Sequence, residues 1–309
     1  MNLVKIGKNY PIFYKTATYL QKNAFFFRRS IPELISPDYN FERAERICSI
    51  ALRLSSNDWN NYFKNVHILI DLSLDFLKLQ IQLEKTGKYL FSTFKEVEKE
   101  VYSNDGGPNY LWGLYFSEIF WKTHHNLVNF YFDNFVTKNQ SKGTILEVPV
   151  GTGFFLTEFL NKNPQWEGMG IDLSNTAVSF SRMILKENNI PEKSYQIIKE
   201  NFLNYQTTRK FDKIICGEFL EHVENPILVL KKLKSLINER SKIFLTVAVW
   251  AGGIDHINLY TKPSEVREQI NKSDLRIENE LVQSVFEKDS GNVEKGKIPV
   301  NYAAILSKN

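Results

Sequence analysis

Two short strings in the chain carry side chains able to move a proton or hold a cation. Glu218-Phe219-Leu220-Glu221-His222 puts two carboxylates and an imidazole within five residues, and Ile254-Asp255-His256-Ile257 supplies a second imidazole. The chain has only five histidines, and this side chain is the one whose ordinary pKa lies nearest neutrality. If the strings meet, Glu218, Glu221, His222 and His256 make a donor set for a divalent metal. Carboxylate oxygens suit Mg or Mn, and imidazole nitrogens extend the choice to Fe, Co or Zn. Such a cation would lower the pKa of a bound hydroxyl. Without one, His222 or His256 could act as general base with Glu221 beside it. The blander alternative is that Glu221 and His222 cap a following helix or satisfy backbone groups.

A second pattern could hold a nucleoside-bearing cofactor. In Ile145-Leu146-Glu147-Val148-Pro149-Val150-Gly151-Thr152-Gly153-Phe154 an apolar run ends in two glycines before a helical segment. Glycines there permit a sharp turn and close approach of a ligand to the backbone. Twenty-one residues after Gly151 comes Asp172, at the end of a second apolar run, where a carboxylate can accept bonds from two ribose hydroxyls. Asn201 and Phe202 follow a third run, and an amide with a ring could hold an adenine. A dinucleotide fingerprint would place a third glycine after Gly153, and this chain lacks it.

The elements that must position these residues follow from hydrophobic pattern. Residues 144–150 read as a buried parallel strand, followed by a helix. Strands are expected at 167–173, 195–199, 212–217 and 243–250, with helices at 175–187 and 226–238. Apolar stretches at 276–286 and 302–307 have no long helix between them and are expected to pair antiparallel. Strand then helix, repeated, predicts an α/β doubly wound sheet. Both chemistry-bearing strings then follow neighbouring strands at the carboxyl edge, where ligands bind. From Phe41 to Phe135 apolar residues recur at helical spacing, as in Ile68, Leu72, Phe76 and Leu79. A turn cluster, Asn104-Asp105-Gly106-Gly107-Pro108, interrupts this, and Asn139-Gln140-Ser141-Lys142-Gly143 reads as a linker. The expected division is a helical domain, 1–138, and a cofactor-binding domain, 139–309.

Composition narrows the function. The net charge is +4, yet residues 1–30 hold six Lys and Arg and no acid, so the rest of the chain is slightly acidic. That argues against a large nucleic-acid footprint on the main body. The first 30 residues lack the unbroken apolar run of a secretory signal, although basic, acid-free segments also occur in transit peptides. No apolar stretch is long enough for a transmembrane helix. Two distant cysteines, Cys48 and Cys216, suit a reducing, cytoplasmic setting. Residues 1–140 hold 27 of the 42 Phe, Trp and Tyr residues. Among them the stretch from Tyr110 to His125 is expected to reach over the site, with Tyr115 and His124 touching substrate.

On these motifs the segment 144–309 resembles the class I S-adenosylmethionine-dependent methyltransferases. The resemblance implies a Rossmann-like sheet and S-adenosylmethionine as cofactor. Gly151 and Gly153 would line its methionine and ribose, Glu147 would lie beneath the loop and hold the amino group, Asp172 would bind the ribose, and Asn201 with Phe202 the adenine. Pro149 departs from the glycine or alanine of many relatives. The E-x-x-E-H string with a later histidine is similar to that of ubiquinone-pathway O-methyltransferases and small-RNA 2′-O-methyltransferases, where such residues bind a divalent cation. Glu218, Glu221 and His222 match directly, and His256 matches by its position after the fifth strand. The implied activity is O-methylation of a small molecule in a biosynthetic pathway. RNA 2′-O-methylation and a non-catalytic cofactor-binding partner are the alternatives.

Overall fold

The computed structural model describes residues 3–36, 39–102, 107–136 and 141–309. Residues 104–106 of the turn cluster and 139–140 of the linker lie outside the described residues. The chain divides into two compact units that interleave in sequence: Met1–Asp75 with Pro108–Asn126, and Phe76–Gly107 with Leu127–Asn309. A single cut near residue 138 does not reproduce this, because 76–102 and 127–136 pack with the sheet.

The first unit is helical. It contains α1 (Leu3–Asn9), α2 (Pro11–Asn23), α3 (Phe25–Leu34), α4 (Phe41–Leu54), the first part of α5 (Trp59–Thr86), and most of α7 (Gly107–Phe120). Its aromatic excess fills its core. Phe13 stacks on Phe120 with centroids 5.5 Å apart, and Tyr39 donates to the Ile119 carbonyl at 2.7 Å. Glu45 on α4 accepts from the N–H groups of Ile12 and Phe13, orphan donors in the first turn of α2.

The second unit is built on a seven-stranded sheet. Its strands are β1 (Thr144–Glu147), β2 (Glu167–Asp172), β3 (Tyr195–Lys199), β4 (Phe211–Cys216), β5 (Ile237–Val249), β6 (Leu275–Ser284) and β7 (Val300–Lys308). The order is β3-β2-β1-β4-β5-β7-β6. The first five strands are parallel, and β7 lies antiparallel between β5 and β6. Alternation along the strands explains two cores. On β5, Ile243, Leu245, Val247 and Val249 face one cluster, with α11 (Pro226–Ser235) and α12 (Pro263–Lys272), while Phe244 faces the other. That second cluster joins α8 (Lys122–Asn134), α9 (Phe154–Lys162) and α10 (Asn175–Glu187). Phe244 sits among Tyr131, Phe135 and Phe155, with centroids 4.9–5.9 Å away. Each such pair adds about 0.5–1.5 kcal/mol beyond area burial.

The expected doubly wound sheet is therefore present, with its antiparallel addition. Two differences stand out. β5 begins at Ile237, six residues before the apolar run, because Ile237 already pairs with Phe211 of β4, and the polar residues 238–241 bulge out before pairing resumes at Lys242. Helix α12 gave little apolar signal, since only Val266 and Ile270 with Pro263 are buried in it.

Candidate active site

Where β1 ends, the chain passes a cis Val148–Pro149 bond and turns with Gly151 at φ 48° and Gly153 at φ 68°. Side chains other than glycine rarely adopt this region. A Cβ on Gly153 would stand 2.8 Å from Ser181 Cβ of α10, so this position also permits close packing. A Cβ on Gly151 would meet nothing within 4 Å, which leaves ligand space above the loop. Asp172 at the end of β2 holds that loop. Its Oδ2 accepts the Gly151 N–H and its Oδ1 the Ser174 N–H, each at 2.9 Å. Burial raises its pKa, and these backbone donors pull it back. Both oxygens retain lone pairs for ligand hydroxyls. Glu147 is buried below the loop and accepts the Leu156 N–H of α9 at 3.1 Å.

The third strand's exit differs from expectation. Asn201 Oδ1 accepts the Leu203 N–H at 2.9 Å, an Asx turn. Phe202 is 3% exposed in the sheet core, 6.2 Å from Phe219, with Lys232 Nζ 5.1 Å from its centroid. A ring beside an apolar core gains more from burial than from waiting for a ligand. The large apolar side chains open at the exits of β2 and β3 are Leu173 and Leu203, each 40% exposed.

On the other side, the loops after β4 and β5 both turn at non-glycine residues in the left-handed region, Glu218 at φ 43° and Trp250 at φ 50°. Such strain tends to collect where function needs it. The two loops are stitched together. Glu221, with no exposed surface, accepts the Ala248 N–H of β5 at 3.0 Å through Oε1, and its carbonyl accepts the N–H groups of Ile257 and Asn258 at 2.8 and 2.9 Å. His222 Nδ1 lies 3.1 Å from the Asp255 carbonyl, and His256 Nδ1 3.1 Å from the Ala251 carbonyl. A carbonyl can only accept, so each ring carries a proton on Nδ1, and a neutral ring so placed keeps its lone pair on Nε2.

Three of the four residues singled out by type bring their donor atoms into one group, and Glu218 stands next to one of them. Donor atoms of Glu221, His222 and His256 lie within 4.8 Å of one another, and the imidazoles meet edge to face at 4.8 Å. Glu218 adjoins Glu221; burial raises the pKa of both carboxyls, Glu218 raises that of Glu221 further, and the bond to Glu221 pulls Glu218 back. Burial and the neighbouring His222 lower His256 to about 4, so it is neutral at pH 7. Glu218 Oε1 and Glu221 Oε2 are buried without a hydrogen-bond partner.

Tyr115 and His124 take other surroundings. Tyr115 is 1% exposed beside Trp112 and Phe116, inside the helical unit. His124 Nδ1 pairs with Ser117 Oγ at 2.9 Å. Sequence reasoning missed Tyr89, whose hydroxyl lies 3.1 Å from the Ala251 carbonyl and 3.3 Å from His256 Nδ1. No spacing rule links residues so far apart in the chain.

The family described as Methyltransferase domain matches residues 139–295. A ubiquinone biosynthesis O-methyltransferase of Glaesserella parasuis is 29% identical over 160 residues, which cover 44% of this chain and 67% of that protein. The corresponding protein of Histophilus somni is 32% identical over 90 residues, covering 26% of this chain and 38% of its own length. The chain thus spans between about a third and two thirds of these curated relatives. Among solved structures, a mitomycin 7-O-methyltransferase shares the fold with TM-score 0.52 at 12% identity, over 76% of this chain and 68% of that one. With a glycine turn, a carboxylate clamp and this family match on one doubly wound sheet, the chain belongs to the S-adenosylmethionine-dependent class I methyltransferases.

Proposed function

We propose that the chain transfers the methyl group of S-adenosylmethionine to an oxygen of a small molecule. The observation that carries this reading is the pair of imidazoles whose Nδ1 atoms meet backbone carbonyls, with the Glu221 carboxyl group within 4.8 Å of their ring nitrogens. Gly151 and Gly153 with Glu147 would hold the methionine end of the cofactor, Asp172 its ribose, and the segment from Asn201 to Leu203 its adenine. An acceptor hydroxyl placed against His222 or His256 would give its proton to Nε2. S-adenosylmethionine held by these residues would supply the methyl group to that oxygen, and the electron pair of the broken carbon–sulfur bond would remain on its sulfur. Orientation of the two reactants supplies most of the rate, and a positioned base contributes about 10²–10⁴-fold. The naming of curated relatives as O-methyltransferases of ubiquinone biosynthesis favours oxygen as the acceptor atom.

A divalent cation fits the same residues. Two buried carboxylate oxygens lack partners, and two imidazole nitrogens keep lone pairs. Glu218, Glu221, His222 and His256 would hold Mg, Mn, Fe or Zn, and a bound cation would acidify the acceptor hydroxyl.

The test is incubation of the purified chain with S-adenosylmethionine and a panel of small phenols and catechols. S-adenosylhomocysteine and O-methylated product should form in equal amounts. No cofactor binding by calorimetry, or methyl groups found only on added RNA, would overturn the reading.

A further inference from the structure

The sheet unit includes a stretch that precedes the sheet by many residues. The last part of α5, from Phe76, ends at Gly87, whose N–H bonds to the Leu83 carbonyl at 2.7 Å and whose φ is 70°. This left-handed C-terminal residue turns the chain sharply. A strap then leads through Tyr89 to the short helix α6 (Phe94–Val97).

The strap reaches both chemistry-bearing loops. Gln80 is buried, and its Oε1 accepts the Gly252 N–H at 2.9 Å. A Cβ on Gly252 would stand 2.5 Å from Gln80 N and 2.6 Å from Leu79 C, so backbone lies directly on backbone. The Tyr89 ring meets His256 edge-on at 5.3 Å, and its hydroxyl shares the Ala251 carbonyl with His256 Nδ1. A Cβ on Gly253 would come 2.3 Å from the His256 ring, which closes another side. Phe94 N–H donates to Glu224 Oε1, beside the other loop, at 2.9 Å.

We infer that Gln80 and Tyr89 are positioning residues for His256: they fix the Ala251–Gly253 turn, and through it the direction of the His256 Nε2 lone pair. The inference rests on the reading that His256 stands at the reacting centre. Neither side chain needs to touch substrate. Partners that orient a functional imidazole from behind typically change activity by about 10–100-fold when removed.

The experiment uses the full chain with Tyr89→Phe, which keeps the ring, and Gln80→Met, which keeps the length. Three quantities are read: kcat and KM with a responding phenolic acceptor, cofactor affinity by calorimetry, and the ¹⁵N ring shifts of His256. The expected result is a fall in kcat of about 10-fold, with cofactor affinity within twofold and the His256 shifts moving from one tautomer toward a mixture. Wild-type kcat with unchanged shifts in both variants would overturn the inference. So would parallel loss of melting temperature and cofactor affinity with the tautomer unchanged, because that pattern marks a merely structural strap. His256→Ala separates the two levels. If it keeps wild-type kcat, the reading of the reacting centre fails, while the ring shifts of the strap variants still decide whether the strap orients His256.

Discussion

The helical unit and the sheet unit each hold a pair of histidines, and the pairs differ in what fixes them. In the helical unit His124 is packed against Trp121 with centroids 4.9 Å apart, and His125 stacks on Tyr39 at 4.6 Å. Burial lowers each to about 4, helped at His125 by Arg43. These rings are packed face or edge against aromatic neighbours, and His124 also pairs with Ser117. In the sheet unit His222 and His256 are tethered through one nitrogen to backbone carbonyls, and a buried carboxylate stands beside them. In the sheet-unit pair a backbone carbonyl holds one nitrogen of each ring, whereas in the helical unit His124 Nδ1 meets the hydroxyl of Ser117.

Breaking the sheet-unit pair should have the largest effect. His222→Ala, and Glu221→Gln as a replacement that keeps the shape and the bond to Ala248, should each lower kcat by about 10²–10⁴-fold. Calorimetry should show cofactor affinity within a few-fold of wild type. If the donor set holds a cation, a chelator should abolish turnover and metal add-back restore it; an unchanged rate would reject the cation.

The helical-unit pair should show itself in stability. Its folded pKa values lie below the ordinary value near 6.5, so the unfolded chain binds protons first as pH falls. Stability is full above about 6.5, is lost down to about 4, and is flat below. The nearby Glu118 Oε1, 4.0 Å from His124 Nδ1, would soften the loss once that ring is charged. Between pH 7 and 5 the loss should be about 2 kcal/mol per histidine. Urea titrations at the two pH values test this, and His125→Phe should remove about half of the difference.

A smaller effect belongs to the cofactor side. Asp172→Ala removes the clamp on Gly151 and Ser174 together with the acceptor for ligand hydroxyls, worth about 1.5–3 kcal/mol as a charged hydrogen-bonding group. Cofactor affinity should weaken by about 10–100-fold, with little change in kcat at saturation. Smallest of all, His124→Gln should leave kcat within twofold, since its ring nitrogen is engaged by Ser117. A loss as large as that of His222→Ala would erase the distinction between the two pairs.

What the sequence disclosed follows the physics of each signal. β3 and α10 lie where apolar period and turn residues placed them, at Tyr195–Lys199 and Asn175–Glu187. Glu218, Glu221, His222 and His256 were legible because charged residues at strand exits have few structural reasons to be there. The burial of Phe202 was not legible, because residue type does not say which way a ring at a strand exit will turn. Tyr89 and Gln80 were silent for another reason. Their partners lie more than 160 residues away, and a tyrosine after a helix end carries no local pattern. Gly252 and Gly253 read as an ordinary loop until backbone and ring are seen pressed against them.

The position of β7 has a kinetic consequence. β1, β2 and β3 can pair in the order in which they are made, and β4 then joins β1. β5 and β6 cannot pair with each other, because residues 300–308 must enter between them. The β1–β2 and β2–β3 pairings join residues 23–27 apart, whereas the β5–β7 pairing joins residues 51–63 apart. Contacts so distant in sequence form slowly. In a refolding experiment, protection of the β5 amides from exchange should lag behind that of β1 and β2.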